Sequence, residues 1–372
     1  MNIENNYSIK KELIFLIPFS IIFFYIFDSL SIIFLNLLVF LPYFVKQINF
    51  LTFNSINSKF HGIQNYNTLR FGGSIIILFI ILNIFFYNRD YFFLEQDKII
   101  FYLVTLFSIV FLGFIDDILG GVHYLLKFNI LFFSILFLLL INDDFLFNQT
   151  YFIIVNDILS YKTFSLILTV IIISGFVNAA NISDGANGIL SGISSIVFLV
   201  LYKETNDPTF LVILKYLIIF FIYNILISKI ILGDTGSYFL GFLISTICIY
   251  FYNNLTLSAA LLGSILIYPC LEIVFSIVRR LIQGNNPLKP DNKHLHNLIF
   301  YYLKIRLENN YINSFTGLLI IVIFSLPAYL LYEFLNTSFS IYFWLIFFLQ
   351  VLAYFLMYIL FSLMIKNLKN NE

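Results

Sequence analysis

Two adjacent aspartates, Asp116 and Asp117, end a long apolar run and form the most chemically suggestive pair in the chain. Neighbouring carboxylates repel each other unless a cation or a shared proton compensates. An acid pair at a membrane boundary therefore suggests a divalent metal, a base with a raised pKa, or both. A solvated helix end explains the pair equally well, as a second acid pair, Asp143 and Asp144, illustrates: no motif surrounds it.

A second polar cluster, NAANISDGANG, repeats amide and carboxylate side chains at a spacing of three. Its members are Asn178, Asn181, Asp184 and Asn187, which would share one face if the whole segment were helical. Such a stripe suits a polar ligand bound where a helix meets a loop. A capping and turn sequence is the alternative, and it explains the Asp-Gly and Asn-Gly pairs but not the two upstream asparagines.

A third cluster, GDTGS, places Asp234 between Gly233 and Gly236 just before another apolar run. The glycines allow close backbone approach, and free amide groups at the start of a helix could meet a phosphate. An ordinary capped helix after a tight turn is the alternative interpretation. Taken alone, this motif indicates a helix start more firmly than it indicates a ligand.

A basic segment between Arg279 and Asn297 holds two of the four histidines of the chain, His294 and His296. Its cations, Arg280 among them, suit a phosphate-rich ligand. A cytoplasmic loop rich in basic residues explains the cations without any ligand, but it does not explain the alternating histidines. Arg70, in the segment TLRFGG, could reach an anion or could be an arginine that snorkels from a helix end.

The elements that must position these residues are membrane helices. Of the 372 residues, 61% are hydrophobic and only 11% are charged, which indicates an integral membrane protein. We therefore predict one all-α polytopic domain, residues 1–372, with about 11 transmembrane helices, or 12 if residues 11–27 span separately. The predicted spans are 29–46, 72–88, 99–114, 125–141, 163–179, 187–203, 209–229, 236–252, 257–279, 313–334 and 340–365.

Alternation of these spans places all the polar clusters on one face, in loops at about 47–71, 115–124, 180–187, 230–235 and 280–312. This face also carries most of the 20 Lys and Arg residues. The opposite loops carry four: Arg89, Lys98, Lys162 and Lys203. The positive-inside rule makes the first face cytoplasmic. The zero net charge leaves no global basic field for nucleic acid.

Taken in order, the clusters resemble the motifs of the polyprenyl-phosphate N-acetylhexosamine-1-phosphate transferase family, which includes the phospho-MurNAc-pentapeptide transferases. TLRFGG is similar to the family's TPRxGG, FIDDILG to DDxxG, NAANISDGANG to NxxNxxDGxDG, GDTGSYFLG to GDxGSxxLG and PDNKHLHN to PDxxHLHH. The resemblance runs from about Thr68 to Asn297, and all five motifs occur in the family's order.

This resemblance implies transfer of a sugar-1-phosphate, in the main reading N-acetylhexosamine-1-phosphate, from a UDP-sugar to undecaprenyl phosphate. UMP is released, and the expected cofactor is Mg²⁺, with Mn²⁺ as a substitute. By carry-over, Asp116 and Asp117 are catalytic, and Asp234 and Asp117 bind the metal. The implied substrate-binding residues are Arg70, Asn178, Asn181, Asp184, Asn187, Arg280, His294 and His296.

Three substitutions depart from the family motifs. Asn187 replaces an acid of DGxDG, Asn297 replaces the last histidine of HLHH, and Leu69 replaces the proline of TPR. A segment GGVHYLLK also follows the DDxxG motif where the family usually has an LSPK-like sequence. The departures affect expected sugar and nucleobase contacts more than the reaction class.

The HLHN form favours the hexosamine-1-phosphate branch, and so the initiation of a cell-surface glycan such as O-antigen, teichoic acid or capsule. The protein is expected in the inner (plasma) membrane as a multi-pass enzyme, with its active site in the cytoplasm. Its expected partners are the sugar donor, the lipid acceptor and the membrane, with a homodimer left open and nucleic acid not expected. Alternatives are a phospho-MurNAc-pentapeptide transferase or, from another class, a transporter or flippase.

Overall fold

The computed structural model describes residues 28–48, 68–87, 96–287, 291–307 and 311–370. Within these ranges the chain forms 15 α-helices and one short 3-10 turn at Asp143–Phe145. The only extended pairing there is an isolated parallel bridge between Leu69 and Ile230. The predicted all-α class is confirmed for the described part of the chain.

The helices follow the apolar runs of the sequence, because a backbone in lipid must satisfy its own hydrogen bonds. Their bounds are α1 Ser29–Ile48, α2 Gly72–Tyr87, α3 Gln96–Leu119, α4 Tyr124–Ile141, α5 Ile153–Leu159, α6 Lys162–Ser183, α7 Ile189–Thr205, α8 Pro208–Leu226, α9 Gly233–Asn253, α10 Ala259–Ile265, α11 Ile267–Ile282, α12 Leu295–Arg306, α13 Ile312–Phe324, α14 Leu326–Leu335 and α15 Tyr342–Asn370.

Among the described residues, six helices are long and apolar enough to cross a bilayer alone, namely α3, α4, α6, α8, α9 and α15. Two bent pairs raise this number to eight: α10 and α11 meet at 73°, and α13 and α14 meet at 41°. Each of the 11 predicted spans coincides with a helix or a bent pair, but by the same criterion α1 and α2 are only shorter apolar helices and α7, at 17 residues, does not qualify as a span. The twelfth candidate, residues 11–27, lies outside the described residues.

Helix α9 is the axis of the bundle, since 94% of its span is buried. It packs against α2, α3, α6 and α7. Small residues along it, Gly236, Gly241 and Ser245, let these neighbours approach closely, as is usual where helices associate in lipid. The central helix therefore begins with the GDTGS motif, at the end of the bundle where the other polar clusters lie.

Helix boundaries shift three of the predicted loops. Helix α3 continues to Leu119, so the acid pair lies in its last turn, and α9 begins at Gly233, so Asp234 lies in its first turn. The segment 280–312 contains the 12-residue helix α12. Most of the predicted loop 47–71 lies outside the described residues.

Acids and cations at the opposite end of the bundle pair with each other. Lys98 binds Asp144, Lys162 binds Asp143, and Lys203 binds Glu333. The second acid pair of the sequence is thus a set of partly exposed ion pairs. We assign it no chemistry.

Candidate active site

The TLRFGG and GDTGS segments run side by side. Backbone hydrogen bonds join Leu69 N to Lys229 O and Ile231 N to Leu69 O, each at 2.9 Å. Gly73 N then donates to Leu232 O at 2.8 Å, and a Cβ on Gly73 would lie 2.1 Å from Gly236 Cα. The glycine pair lets α2 cross α9 at backbone contact. This crossing carries Arg70 to the start of α9.

Asp117 caps α9 from a different helix. Its Oδ1 accepts from Asp234 N at 2.9 Å, and its Oδ2 accepts from Thr235 N at 2.9 Å and from Thr235 Oγ1 at 2.7 Å. The first amides of a helix lack partners within the helix and carry partial positive charge, so a carboxylate there is well placed. Gly233, at φ +73°, makes room, since a Cβ would lie 2.7 Å from Asp117 Oδ2.

This capping changes two expectations from the sequence. The α9 amides that could meet a phosphate are bonded to Asp117 instead. The sequence interpretation also makes Asp117 a catalytic residue and metal ligand, yet both of its oxygens already accept hydrogen bonds from α9. Its placement beside the other acids agrees with the prediction, and its contacts indicate that it positions Asp234.

The side chains of Asp116 and Asp234 are in contact, and the ammonium group of Lys127 faces both of them. The Lys127 ammonium forms an ion pair with Asp116 and lies 3.6 Å from Asp234 Oδ2. Asp116 also accepts from the backbone amide of Val122, which fixes the turn between α3 and α4. Lys127 stands in the GGVHYLLK segment, at the start of the otherwise apolar α4.

Within the cluster around Asp116, the acids outnumber the cations. Asp184 lies within electrostatic reach of Asp117, and Arg70 interacts with both of these acids. Four carboxyl groups, on Asp116, Asp117, Asp184 and Asp234, lie near the two cations Arg70 and Lys127. Hard carboxylate oxygens are the donor set that Mg²⁺ prefers.

The described residues contain no ready-made cluster of three or more His, Cys, Asp or Glu side chains that could hold a metal ion. Asp116 and Asp234 are nevertheless adjacent, and their oxygens point at the same cation, Lys127. The residues present therefore fit a divalent ion between these two aspartates. The carboxylate of Asp117 is hydrogen-bonded to the first amides of α9, and we do not count it among the metal ligands.

The C-terminal end of α6 carries the next cluster. Asn178 Nδ2 donates to Ser174 O at 2.8 Å, Asn181 hydrogen-bonds Tyr238 of α9, and Asp184 caps α6. Burial raises the pKa of Asp184 well above its ordinary value, and the negative Asp117 raises it further, while Arg70 opposes the shift. Three of the four predicted residues thus share one helix end beside the acids.

The fourth residue of that stripe, Asn187, lies beyond the end of α6 in a turn. It is 5% exposed, and its Nδ2 donates to Ser228 Oγ at 2.7 Å and to Ser314 Oγ at 3.2 Å. Its backbone amide donates to Asn313 Oδ1. The predicted continuous stripe is therefore broken after Asp184, and Asn187 ties α7, α8 and α13 together.

The basic segment is clamped around one carboxylate. Both terminal nitrogens of Arg279 lie 3.0 Å from Asp291 oxygens, and Arg280 Nε lies 2.8 Å from Asp291 Oδ2. Arg280 also donates to Pro287 O. Burial alone would raise the pKa of Asp291, but the two guanidinium groups hold it well below its ordinary value. Arg280 is predicted to bind substrate, and in the structure its guanidinium holds the loop.

The two predicted histidines are buried side by side, with parallel rings whose centroids are 5.5 Å apart. His294 Nδ1 lies 2.9 Å from Glu272 Oε2, and His296 Nδ1 lies 2.8 Å from the Tyr268 hydroxyl. Burial lowers the pKa of His296 to about 3, so this ring is neutral near pH 7. The Nε2 of His296 faces Gly185 in the turn after Asp184.

Sequence reasoning missed Lys127 and Glu272. Lys127 is the single charge of the apolar helix α4, and Glu272 lies inside α11, well before the two arginines of its last turn. Charges in such places are costly and are usually paired or functional, so the apolar context was the available signal. Both side chains pair with residues that the motifs had already identified.

Comparison with known proteins identifies similar sequences over the central part of the chain. Residues 99–252, which include the acid pair, the α6 cluster and Asp234, match the model of glycosyl transferase family 4. An undecaprenyl-phosphate alpha-N-acetylglucosaminyl 1-phosphate transferase of Thermotoga maritima is 37% identical over 42% of this chain and 47% of its own length. A probable undecaprenyl-phosphate N-acetylglucosaminyl 1-phosphate transferase of Bacillus subtilis is 31% identical over 36% of this chain and 40% of its own length. The chain thus spans less than half the length of these two relatives.

A longer match extends beyond the central helices. A phospho-N-acetylmuramoyl-pentapeptide-transferase of Petrotoga mobilis is 30% identical over 61% of this chain and 75% of its own length. This similarity covers most of a relative of the type that the sequence analysis gives as the alternative within the same family. The chain belongs to glycosyl transferase family 4.

Proposed function

We propose that the protein transfers N-acetylhexosamine-1-phosphate from a UDP-sugar to undecaprenyl phosphate and releases UMP. The observation that carries this proposal is the meeting of Asp116, Asp234 and Lys127 at one end of a membrane bundle, next to Arg70 and Asp184. A reaction between two phosphate anions needs cations and a metal where charge builds up. A lipid acceptor requires that site to lie at the bilayer surface.

In the proposed reaction, an oxygen of the lipid phosphate attacks the β-phosphorus of the UDP-sugar. The bond from that phosphorus to the oxygen bridging the two phosphates breaks, and UMP leaves with the bridging oxygen. Asp116 and Asp234 would hold Mg²⁺, which neutralises the phosphate charge when bound. Lys127 and Arg70 contribute fixed positive charge, and Asp117 keeps Asp234 in place.

The donor is placed by the α6 end and the histidine loop. Asn178, Asn181 and Asp184 lie next to the acids, and His296 faces the same turn through Gly185. These side chains offer amide, carboxyl and imidazole groups to a nucleotide and a sugar. We propose that Asn187 and Arg280 act indirectly, by holding the turn and the loop.

A second candidate reaction is transfer of phospho-MurNAc-pentapeptide to the same lipid. The longer alignments favour it, since the Petrotoga mobilis relative of that type covers more of this chain than the Thermotoga maritima relative does. The HLHN sequence favours the first candidate. Both reactions release UMP, so the donor decides between them.

We also propose that the protein lies in the inner (plasma) membrane. Its site would face the cytoplasm, because the basic loops lie on the same side of the bundle as the site. The product would start a surface glycan such as O-antigen or teichoic acid. A homodimer is compatible with this arrangement.

Purified full-length protein, undecaprenyl phosphate and Mg²⁺ should be incubated with each of UDP-N-acetylglucosamine, UDP-N-acetylgalactosamine and UDP-MurNAc-pentapeptide, and UMP measured. We expect UMP release with one UDP-N-acetylhexosamine and no release when the lipid is omitted. Release with the pentapeptide donor alone would select the second candidate. No lipid-dependent UMP from any donor would exclude both.

A further inference from the structure

A fully buried carboxylate, Glu272, lies beneath the histidine loop, outside every predicted motif. It is 0% exposed in α11, and a buried charge is tolerated only when it is paired and hydrogen-bonded. Its Oε1 accepts from the backbone amide of Leu295 at 2.8 Å. Its Oε2 lies 2.9 Å from His294 Nδ1. Each carboxylate oxygen therefore has a separate partner at the start of α12.

These contacts determine where the proton of His294 sits. An ionised carboxylate has only acceptors, and a backbone amide has only a donor. Because Leu295 N–H takes Oε1, the Nδ1 of His294 must carry a hydrogen to bond Oε2. The lone pair of the neutral ring is then on Nε2, the nitrogen turned away from Glu272.

The neighbouring histidine is oriented in the same way. His296 Nδ1 meets the hydroxyl of Tyr268, which stands one helical turn before Glu272 on α11. The rings differ in plane by only 5°. A Cβ on Gly185 would lie 2.0 Å from His296 Nε2, so that nitrogen faces the turn beside Asp184. Helix α11 thus anchors the Nδ1 edge of both rings.

We propose that Glu272 is a positioning residue that fixes His294 in the Nδ1–H tautomer, so that the lone pair of Nε2, 4.0 Å from Asp291 Oδ1, is free to accept a hydrogen bond from a hydroxyl group of the donor. This inference rests on the proposed function for the identity of the ligand. It assigns Glu272 no contact with substrate. The tautomer itself follows from the contacts of Glu272 and can be measured without substrate.

Two substitutions separate this chemical role from packing. In Glu272→Gln the side chain keeps its size, but one oxygen becomes an NH₂ donor. Leu295 N–H still needs the remaining oxygen, so the NH₂ faces His294 Nδ1 and the ring proton moves to Nε2. Glu272→Asp removes a methylene group and perturbs packing more, yet it keeps two acceptor oxygens and the Nδ1–H tautomer.

The first readout is ¹⁵N NMR of the full-length protein labelled at histidine. The chain has only four histidines, and the spectrum of His294→Gln identifies the signals of His294. We expect a protonated Nδ1 for His294 in the unchanged protein and in Glu272→Asp. In Glu272→Gln the protonated nitrogen should be Nε2.

The second readout is steady-state UMP release. We expect Glu272→Gln to lower kcat by about 10- to 100-fold, as loss of an orienting partner usually does. KM for the UDP-sugar should stay within roughly threefold, because Glu272 does not touch the donor. Glu272→Asp should keep more of kcat than Glu272→Gln. In the His294→Gln background, Glu272→Gln should add little further loss.

Three results would overturn the inference: Nε2–H on His294 in the unchanged protein, an identical tautomer in Glu272→Gln, or a lower kcat for Glu272→Asp than for Glu272→Gln. The NMR result stands apart from activity. If no donor gives UMP, the proposed function fails while the tautomer still tests the role of Glu272.

Discussion

Individual side chains divide the work between charge and position. Asp116 and Asp234 share Lys127, whereas Asp117 gives both of its oxygens to the start of α9. Adjacent aspartates in one motif therefore have different environments. The sequence indicates the pair, but it cannot separate their roles, because the partner of Asp117 lies 117 positions away.

Two isosteric substitutions test this division. Asp117→Asn leaves an amide donor facing the amides of α9, so we expect a loss of about 1–3 kcal/mol in the free energy of unfolding. Asp234→Asn removes a negative charge that lies against Asp116, so the protein should stay as stable as the unchanged chain. Thermal unfolding in detergent and UMP release measure both effects.

Both variants should lose UMP release, and stability should distinguish them. A stable Asp117→Asn protein would contradict the capping role. Full UMP release by Asp234→Asn would remove that residue from the proposed metal site.

At the scale of elements, the site depends on how closely helices approach. The contact of α2 with α9 at Gly73 and Gly236 brings Arg70 to the acids, and the bend between α10 and α11 precedes the helix that anchors the histidines. Hydrophobic runs predict the long membrane helices, since lipid imposes a minimum length, but they do not predict the short helices α5 and α12. They do not predict the bend or the crossing, because both depend on contacts between distant segments.

Gly236→Ala tests the helix crossing. A Cβ there would lie 2.7 Å from the Cα of Gly73, and backbone cannot rotate away, so α2 and α9 must separate. We expect a loss of about 1–3 kcal/mol in the free energy of unfolding. Gly175→Ala is the matched control, since nothing lies within 4 Å of its Cβ position in α6.

Unfolding of the two alanine variants by heat gives the comparison. Equal stability of Gly236→Ala and Gly175→Ala would show that the crossing is not constrained at backbone contact.

The binding of Asp291 by Arg279 and Arg280, here called the loop clamp, predicts that the stability of the protein depends on pH. The pKa of Asp291 is held below its ordinary value of 3.8 by Arg279 and Arg280. A lowered folded-state pKa stabilises the fold above the unfolded-state pKa, and this stabilisation is lost as the pH falls below about 4 toward the folded-state value. The unchanged protein should therefore melt above Asp291→Asn at pH 7, and the gap should shrink below pH 4. A gap that is constant with pH would contradict the clamp.

At the scale of the whole molecule, the sequence predicted the all-α class and the meeting of five separated motifs at one end of the bundle. It did so because polar residues at the ends of apolar runs must lie at a bilayer surface. Lys127 was missed because it lies in an apolar helix where the sequence departs from the family pattern, and Glu272 was missed because it lies inside α11, away from any motif. The predicted number of about 11 spans stays a prediction, since within the described residues six helices, or eight with the two bent pairs, are long and apolar enough to cross a bilayer.

The proposed orientation can be tested by labelling single cysteines. With Cys248 and Cys270 replaced by alanine, a cysteine at exposed Asp157 and one at exposed Lys293 should react with an impermeant maleimide from opposite faces of the membrane. Intact cells should label the first position, and inverted vesicles the second. Labelling of both positions from the same side would contradict the proposed topology, in which all the polar clusters lie on one face of the membrane.

The central claim concerns which bond the protein breaks, and the fate of the β-phosphorus tests it most directly. A UDP-N-acetylhexosamine carrying ³²P at the β position should be incubated with full-length protein, undecaprenyl phosphate and Mg²⁺. We predict that the label enters the lipid as a sugar diphosphate while unlabelled UMP is released in equal amount. Label remaining in water-soluble UDP, with the sugar alone on the lipid, would contradict the account.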